Sequence, residues 1–226
     1  MKIELKKWSI EDKESLIRIC DTIDRNYLSD RLPNPYTNES AEWWLNIVKE
    51  NEGKTGIFRE IIVDGKIIGT ISVEQKEDVY RKDAEIGYYL LPEEYSKGIM
   101  TEAVRQICET AFEKLDIIRI TGLVYEPNIA SRKVLEKNNF ILEGTMKKAV
   151  IKNNNIRVLN QCSCDGNTLL LSTRNIDTPL PQLRIILIGQ FHNKIMRLRR
   201  FCRRNDFLIG CIRLAPLNIF TNCTGE

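Results

Sequence analysis

The sequence has no long hydrophobic run, no internal repeat and no low-complexity tract. Its apolar stretches are only a few residues long, far short of the roughly 20 that a membrane-spanning helix needs. The first residues alternate charged and apolar side chains and lack the hydrophobic segment of a secretory signal peptide. These absences predict a cytoplasmic protein that has no membrane partner.

The chain is long enough for one or two domains and apolar enough to bury a core. It has 226 residues, of which 42% are hydrophobic and 29% are charged, and its mean hydropathy is −0.29. This composition excludes a mainly disordered protein. The net charge of +3 is too small to indicate nucleic-acid binding by itself.

The composition changes after Ile156. Residues 1–156 hold 24 basic and 27 acidic side chains, whereas residues 157–226 hold 10 basic and 4 acidic ones. Five of the seven cysteines also lie after this point. We therefore predict a folded domain over 1–156 and an atypical, basic, cysteine-containing tail over 157–226.

The tail contains residue types that bind metals or anions, but not in the spacing that such sites need. Paired C-x2-C spacing is absent, so no metal site is predicted from the ligand types present, which are Cys162, Cys164, His192, Cys202, Cys211 and Cys223. The basic stretch 195–204 is short and carries no accompanying motif. Nucleic acid is therefore not an expected partner, although an RNA-associated protein acting through the tail stays open as an alternative.

Hydrophobic periodicity in the first part predicts alternating strands and helices. Strands are expected at 3–8, 57–63, 66–73, 84–91 and 117–125, with Asp64 and Gly65 forming a tight turn. Helices are expected to begin near Ser9 and Ser40 and to cover 101–115 and 130–137. This order predicts an α/β (α+β) layer fold, in which helices return between strands of a sheet.

One connection in this order suits a phosphate group. The strand that ends at residue 91 is followed by Pro-Glu-Glu-Tyr-Ser-Lys-Gly-Ile-Met and then by the clearest predicted helix. Backbone N–H groups at a helix N-terminus, together with the helix dipole, attract a pyrophosphate. Gly98 would allow the backbone to approach the phosphates closely, and Lys97 could add a positive charge.

Three segments together resemble the GNAT acetyltransferase superfamily. They read AEIGYYL (84–90), YSKGIMTEAV (95–104) and RITGLVYEPNIASRKVLEKNNFILEG (119–144). The resemblance covers about residues 3–155. Within the superfamily, this part of the chain looks like the branch that includes ribosomal-protein N-terminal acetyltransferases and spermidine acetyltransferases. It implies a GNAT fold, which is a twisted mixed β-sheet with splayed central strands flanked by helices. It also implies acetyl-CoA as the acetyl donor, without a metal.

The resemblance also implies which residues form the cofactor site, because they occupy the matching positions of the family's motifs. The family's phosphate loop, Gln/Arg-x-x-Gly-x-Gly/Ala, aligns with residues 95–100, where only the glycine is kept. The residues implied to bind the cofactor are Leu90 and Leu91 along the pantetheine arm, Tyr95, Ser96, Lys97, Gly98, Ile99, Met100 and Thr101 at the phosphates, and Asn128 and Ser131 near the thioester. Asn139 replaces a family glycine before Phe140 and can adopt the same left-handed cap conformation.

The implied chemistry is direct attack of an amine on the thioester within a ternary complex. Glu85 is the candidate general base, and a backbone N–H near Leu91 is the candidate oxyanion donor. Leu135 stands where many members carry a tyrosine as general acid, so Ser131 and Tyr125 are the candidates for that role. Alternatively, Glu85 is only a solvated strand residue and Ser131 only completes the first turn of its helix.

The end of the resemblance falls where the composition changes. Members of the family close the sheet with a further strand after a turn like 153–156, but the residues from Arg157 onward do not match it. We therefore expect an out-of-frame or poorly ordered tail, an exposed sheet edge and reduced stability.

The expected function is acetyl transfer to a protein N-terminus, a polyamine or another small amine. The sequence does not choose among these acceptors. A catalytically weak or inactive CoA-binding module is the alternative, and whether the protein forms a homodimer stays open.

Overall fold

A computed structural model of the chain describes residues 2–166, and seven strands of this part form one mixed sheet. The order across the sheet is β1-β2-β3-β4-β5-β7-β6. All neighbouring strands are antiparallel except β4 and β5. The strands are β1 (Ile3–Lys7), β2 (Gly56–Val63), β3 (Lys66–Gln75), β4 (Asp83–Leu90), β5 (Arg119–Tyr125), β6 (Ile141–Lys152) and β7 (Asn155–Asp165).

Within residues 2–166, four α-helices cover the two faces of this sheet. They are α1 (Lys13–Thr22), α2 (Asn38–Asn51), α3 (Ile99–Lys114) and α4 (Ile129–Lys137). Successive side chains of a strand point to opposite faces, and two neighbours in β4 identify the helices on each face. Tyr89 contacts Cys20 of α1, whereas Tyr88 contacts Ser131 of α4. The predicted fold class, a mixed sheet flanked by helices, is therefore confirmed.

Local sequence signals explain the turns and most helix ends. Asp64 and Gly65 have φ values of 48° and 76°, the left-handed conformations that a tight hairpin turn between β2 and β3 requires. The Asp12 carboxylate accepts hydrogen bonds from the Ser9 N–H (3.0 Å) and hydroxyl (2.7 Å) and so fixes the entry to α1.

Helix α2 begins three residues earlier than the sequence predicts. Its N-cap is Thr37, whose hydroxyl oxygen accepts a hydrogen bond from the N–H of Ser40 at 3.3 Å. Ser40 therefore lies in the first turn of the helix. Two candidates for a capping hydroxyl, three residues apart, explain the error, because either Thr37 or Ser40 could have served.

The sequence interpretation was wrong about the last strand. It placed a boundary at 156 and expected no closing strand, but β7 pairs with β5 along the whole of that strand and with β6 on its other side. The turn before β7 is made by Asn153 and Asn154, both left-handed. Cys162 and Cys164 are buried and act as small apolar residues on one face of the strand.

β7 also removes the sheet edge that the sequence predicted to be exposed. The side of β5 away from β4 is occupied from Arg119 to Tyr125, so β6 is the outer strand instead. The prediction of an exposed β5 edge is therefore wrong. The remaining expectations for the tail, including its basic stretch and later cysteines, lie outside the described residues.

Candidate active site

The two parallel strands at the centre of the sheet separate part of the way along their length. β4 and β5 pair only from Asp83 with Arg119 to Glu85 with Thr121. β4 then continues to Leu90 and β5 to Tyr125, and within residues 2–166 no strand pairs with residues 86–90 on that side. The two strands therefore enclose an opening with unpaired backbone at one side, in agreement with the implied splay.

Along β4, the N–H and C=O groups of successive residues point alternately towards β3 and towards β5. This alternation decides which backbone groups line the opening. The N–H of Leu91 donates to the Ile68 carbonyl of β3 at 2.9 Å, and the Lys82 carbonyl accepts from Ile118 beside β5. Because adjacent residues of a strand direct their N–H and C=O groups to opposite sides, even-numbered residues face β5. Leu90 therefore faces the opening as predicted, whereas the N–H of Leu91 is already bonded and cannot be the oxyanion donor.

The N-terminus of α3 follows directly from the end of β4. Its N-cap is Gly98, with φ of 79°, and no side chain caps the helix. The first turn closes with the N–H of Glu102, which donates to the Gly98 carbonyl at 3.3 Å. The N–H groups of the three residues before it, Ile99, Met100 and Thr101, are the donors that an α-helix leaves without an intrahelical acceptor.

The loop before α3 is shaped by two left-handed residues. Ser96 has φ of 62°, and a Cβ added at Gly98 would meet no atom within 4 Å. The space in front of the helix is therefore open. The side chains of Ile99 and Met100 are buried in the core, so only their backbone can serve a ligand.

The polar side chains of this loop are arranged differently from the prediction. The Lys97 ammonium forms an ion pair with Glu94 at 3.0 Å, which partly neutralises the charge expected to reach a phosphate. Tyr95 is exposed. Partial burial, with a smaller effect of the nearby Asp24 carboxylate, raises the pKa of its hydroxyl.

Asn138 is a positioning residue that the sequence interpretation missed. Its buried side-chain amide donates to the carbonyl of Thr101 in α3 (3.1 Å) and to that of Val134 in α4 (2.9 Å). It thereby ties the end of α4 to the first turn of α3. The next residue, Asn139, has φ of 61°, which confirms the left-handed cap conformation expected there.

Helix α4 begins at the other strand of the opening. Asn128 is its N-cap, and its side-chain oxygen accepts from the Ser131 N–H at 3.1 Å. The Ser131 hydroxyl lies 2.8 Å from the hydroxyl of Tyr88 in β4. Tyr88 was not among the sequence candidates, because the two residues are 43 positions apart and only the fold brings them together.

Leu135, which the resemblance aligns with the family's usual tyrosine, packs in the core. It is buried, and a Cβ added at Gly122 of β5 would approach its side chain to 2.6 Å. The glycine thus allows close packing of α4 on β5. Among the described residues of α4, Ser131 is the hydroxyl that faces β4.

Glu85 and Tyr125 lie on the opposite face of the sheet from Ser131. Partial burial raises the pKa of the Glu85 carboxyl; Lys76 opposes this shift, and Glu74 adds to it. A raised pKa makes a carboxylate a stronger base at neutral pH. The Tyr125 ring contacts that of Tyr27 in the α1–α2 loop, with ring centroids 5.8 Å apart.

The loop 24–36 is attached to several parts of the site. Arg25 donates to the carbonyls of Cys20, Leu32 and Pro33 and so holds the loop folded. Asp30 forms an ion pair with Lys152 at the β6–β7 turn. A cleft of about 400 Å³ lies between the loop and this turn.

These features define a mixed sheet with splayed central strands and an uncapped helix N-terminus after one of them, and sequence comparison identifies the family. The acetyltransferase (GNAT) domain family matches residues 2–141, which is more than half of the chain. The chain therefore belongs to the GNAT acetyltransferase family. No described helix is long and apolar enough to cross a membrane, and residues 2–166 contain no cluster of three metal-ligating side chains.

The curated relatives are bacterial acetyltransferases. The probable N-acetyltransferase YjcK of Bacillus subtilis is 39% identical over 110 residues, which are 49% of this chain and 60% of that protein. The ribosomal-protein-serine acetyltransferase of Escherichia coli is 30% identical over 108 residues, 48% of this chain and 59% of that protein. The chain spans 49 to 60% of the length of the first relatives it matches.

Solved structures show the same fold. RimL, a ribosomal alpha-N-protein acetyltransferase in complex with coenzyme A, has a TM-score of 0.65 at 23% identity and covers 73% of this chain and 94% of its own. A ribosomal-protein alanine acetyltransferase from Vibrio fischeri has a TM-score of 0.63 at 23% identity, covering 73% and 93%.

Proposed function

We propose that this protein transfers an acetyl group from acetyl-CoA to a primary amine. One observation carries the proposal: the opening between β4 and β5 and the uncapped N-terminus of α3 follow one another along the chain. The first offers unpaired backbone to an extended ligand, and the second offers free N–H donors to an anion. Acetyl-CoA combines an amide-containing arm with a pyrophosphate, so these donors fit it.

The residues that would hold acetyl-CoA follow from this arrangement. The backbone of Leu90 would pair with the pantetheine arm, and the N–H groups of Ile99, Met100 and Thr101 would bind the pyrophosphate with the help of the helix dipole. Tyr95, Ser96, Lys97 and Gly98 would line the phosphates. The N–H of Leu90 replaces that of Leu91 as the candidate oxyanion donor, because the latter is bonded to Ile68.

Acetyl-CoA supplies a thioester that an amine can attack. Glu85 would accept the proton of the attacking amine, and its raised pKa supports that role. Ser131, on the opposite face, would act at the sulfur, with Asn128 fixing the helix turn that carries it. Tyr125 lies on the face of Glu85 beside Tyr27, and we assign it to the acceptor side instead of to the general acid.

The acceptor is proposed to enter beneath the loop 24–36. This loop packs on Tyr125 through Tyr27 and reaches the β6–β7 turn through Asp30. Relatives named as ribosomal-protein acetyltransferases support a protein N-terminus as one acceptor. A polyamine or another small amine is the other class to be tested.

Calorimetry of acetyl-CoA with the full chain tests the binding site. We expect micromolar binding that is abolished by Gly98→Glu, because the new side chain adds a carboxylate where the anion would bind and strains a left-handed position. Gly53→Glu is the matched control, since Gly53 has φ of 74° and equally open surroundings. Absence of binding by the folded wild-type chain would overturn the proposal.

Thiol release separates the enzyme from an inactive CoA-binding module. Acetyl-CoA would be incubated with spermidine or with a short peptide bearing a free N-terminal serine or alanine. Release that requires one of these amines supports acetyl transfer and identifies the acceptor class. Binding without release for any amine would favour the module.

A further inference from the structure

We propose that Tyr88 orients the Ser131 hydroxyl so that its hydrogen points at the sulfur of the acyl donor. This inference rests on the proposed function and assigns a residue that acts through another. The Tyr88 hydroxyl lies 2.8 Å from the Ser131 hydroxyl and 3.3 Å from the Ser131 carbonyl oxygen. It thus joins β4 to α4 on one face of the opening between the central strands.

We take Tyr88 as the donor in the shorter contact, which the geometry allows in either direction. The phenolic hydrogen of Tyr88 has the hydroxyl oxygen and the carbonyl oxygen of Ser131 as acceptors, and the former is closer. When Tyr88 donates to this oxygen, the hydrogen of Ser131 is left to bond another group. A phenol is a stronger acid than an alkyl hydroxyl, so the Tyr88 hydroxyl is the better donor of the two.

The backbone of Ser131 is fixed as well. Its N–H donates to the Asn128 side chain at 3.1 Å, which sets the first turn of α4. With the backbone held by Asn128 and the oxygen held by Tyr88, the remaining freedom of the hydroxyl is restricted. A serine in this state is a preorganised donor to charge that develops in the opening.

Ser131 stabilises the departing sulfur by a hydrogen bond and keeps its own proton. A serine hydroxyl is a much weaker acid than a thiol, so proton transfer from it to the thiolate would be unfavourable. The carbon–sulfur bond breaks as the carbon–nitrogen bond forms. The amine proton passes to the base, and the thiolate, held by Ser131, is protonated by acids of the solvent once it is released.

Removal of one hydroxyl tests this role in the full chain. Tyr88→Phe keeps the ring and is expected to lower kcat about five- to tenfold with little change in KM for acetyl-CoA. Ser131→Ala should have at least as large an effect, and the double variant should be no slower than Ser131→Ala. Tyr89→Phe is the matched control, since that buried hydroxyl contacts Cys20 on the other face. Additive losses, or an unchanged kcat in Tyr88→Phe, would overturn the inference.

A binding measurement tests it without turnover. We expect CoA to bind more tightly than desulfo-CoA, increasingly so as pH rises towards the thiol pKa, because the oriented hydroxyl favours the thiolate. This preference should fall about equally in Tyr88→Phe and Ser131→Ala and persist in Tyr89→Phe. If CoA and desulfo-CoA bind equally to the wild type, the inference fails while the proposed function stands. If neither binds, the proposed function fails as well.

Discussion

The two ends of the β4–β5 pair are held together in different ways. At the paired end, Asp83 accepts hydrogen bonds from Thr121 (2.8 Å) and Lys76 (2.8 Å), and Arg119 links Asp83 to Glu143 of β6. Ser163 of β7 also donates to Glu143 at 2.6 Å. A continuous network of charged and hydroxyl side chains thus crosses four strands.

The open end has much weaker connections. There, α4 is linked to β4 by the Tyr88–Ser131 hydroxyl contact, and the α1–α2 loop meets β5 through two tyrosine rings tilted by 45° to each other. The comparison shows how a sheet can keep a permanent gap: ionic contacts close one end, while backbone groups at the other end stay available. The following predictions test this difference, beginning with the largest effect.

Loss of the central carboxylate should weaken the paired end most. Asp83→Ala leaves the buried Thr121 hydroxyl and two cations without their acceptor, so we expect unfolding free energy to fall by about 2–4 kcal/mol. Urea denaturation measures this change. Asp116→Ala, which removes an exposed carboxylate paired with Lys82, is the control and should have almost no effect. Equal effects of the two variants would contradict the importance of the network.

Asn138→Ala tests the link between the two helices at the open end. It removes two hydrogen bonds made by a buried amide, so we expect a loss of about 1–2 kcal/mol of stability. Acetyl-CoA affinity should also fall, because Thr101 lies in the first turn of α3. The exposed Asn155→Ala serves as control. Destabilisation without any change in affinity would show that Asn138 does not position the phosphate site.

The paired end should lose stability in acid. Hydrogen bonds from Ser163 and Arg119 lower the pKa of Glu143, so its contribution is present above the unfolded pKa of about 4.5 and disappears as pH falls through the lower folded value. Wild type should be more stable than Glu143→Gln near pH 6 and equally stable near pH 2. Urea denaturation at each pH measures the difference in stability between wild type and Glu143→Gln. A difference that stays constant between pH 6 and pH 2 would contradict this assignment.

Glu85, the last residue of β4 that pairs with β5, should show the opposite dependence at the edge of the opening. Because the pKa of Glu85 is raised in the folded state, its ionisation opposes folding above that value and has no effect below the unfolded pKa of about 4.5. Glu85→Gln should therefore be slightly more stable than wild type at pH 7 and equal to it near pH 3, while its kcat is reduced. Lower stability at pH 7 would mean that the carboxylate makes a favourable contact.

Local patterns in the sequence were sufficient to predict most elements of this fold. The periodicity of α3, the Asp64–Gly65 turn and the left-handed Asn139 are properties of neighbouring residues, and each was confirmed. The contacts of Tyr88 with Ser131 and of Asn138 with Thr101 join residues far apart in sequence. Such contacts depend on the packing of α4, which periodicity does not specify.

Two errors have specific physical causes. The exact register of β4 decides whether Leu90 or Leu91 faces the opening, and a shift of one residue reverses the answer. β7 was missed because two of its buried positions are Cys162 and Cys164, and because the polar Asn160 and Ser163 are buried as well. Cysteine packs as a small apolar side chain, so the buried face of the strand is not marked by aliphatic residues alone.

The position of β7 affects how a shorter protein could be made. The family match ends at Ile141 and the change in composition follows Ile156, yet the strand that covers β5 extends to Asp165. An expression boundary drawn from the recognisable motifs would keep the residues assigned to chemistry and would uncover the edge of β5 from Arg119 to Tyr125. Such an edge invites strand pairing between molecules, so a truncated protein would aggregate although every motif of its family is present.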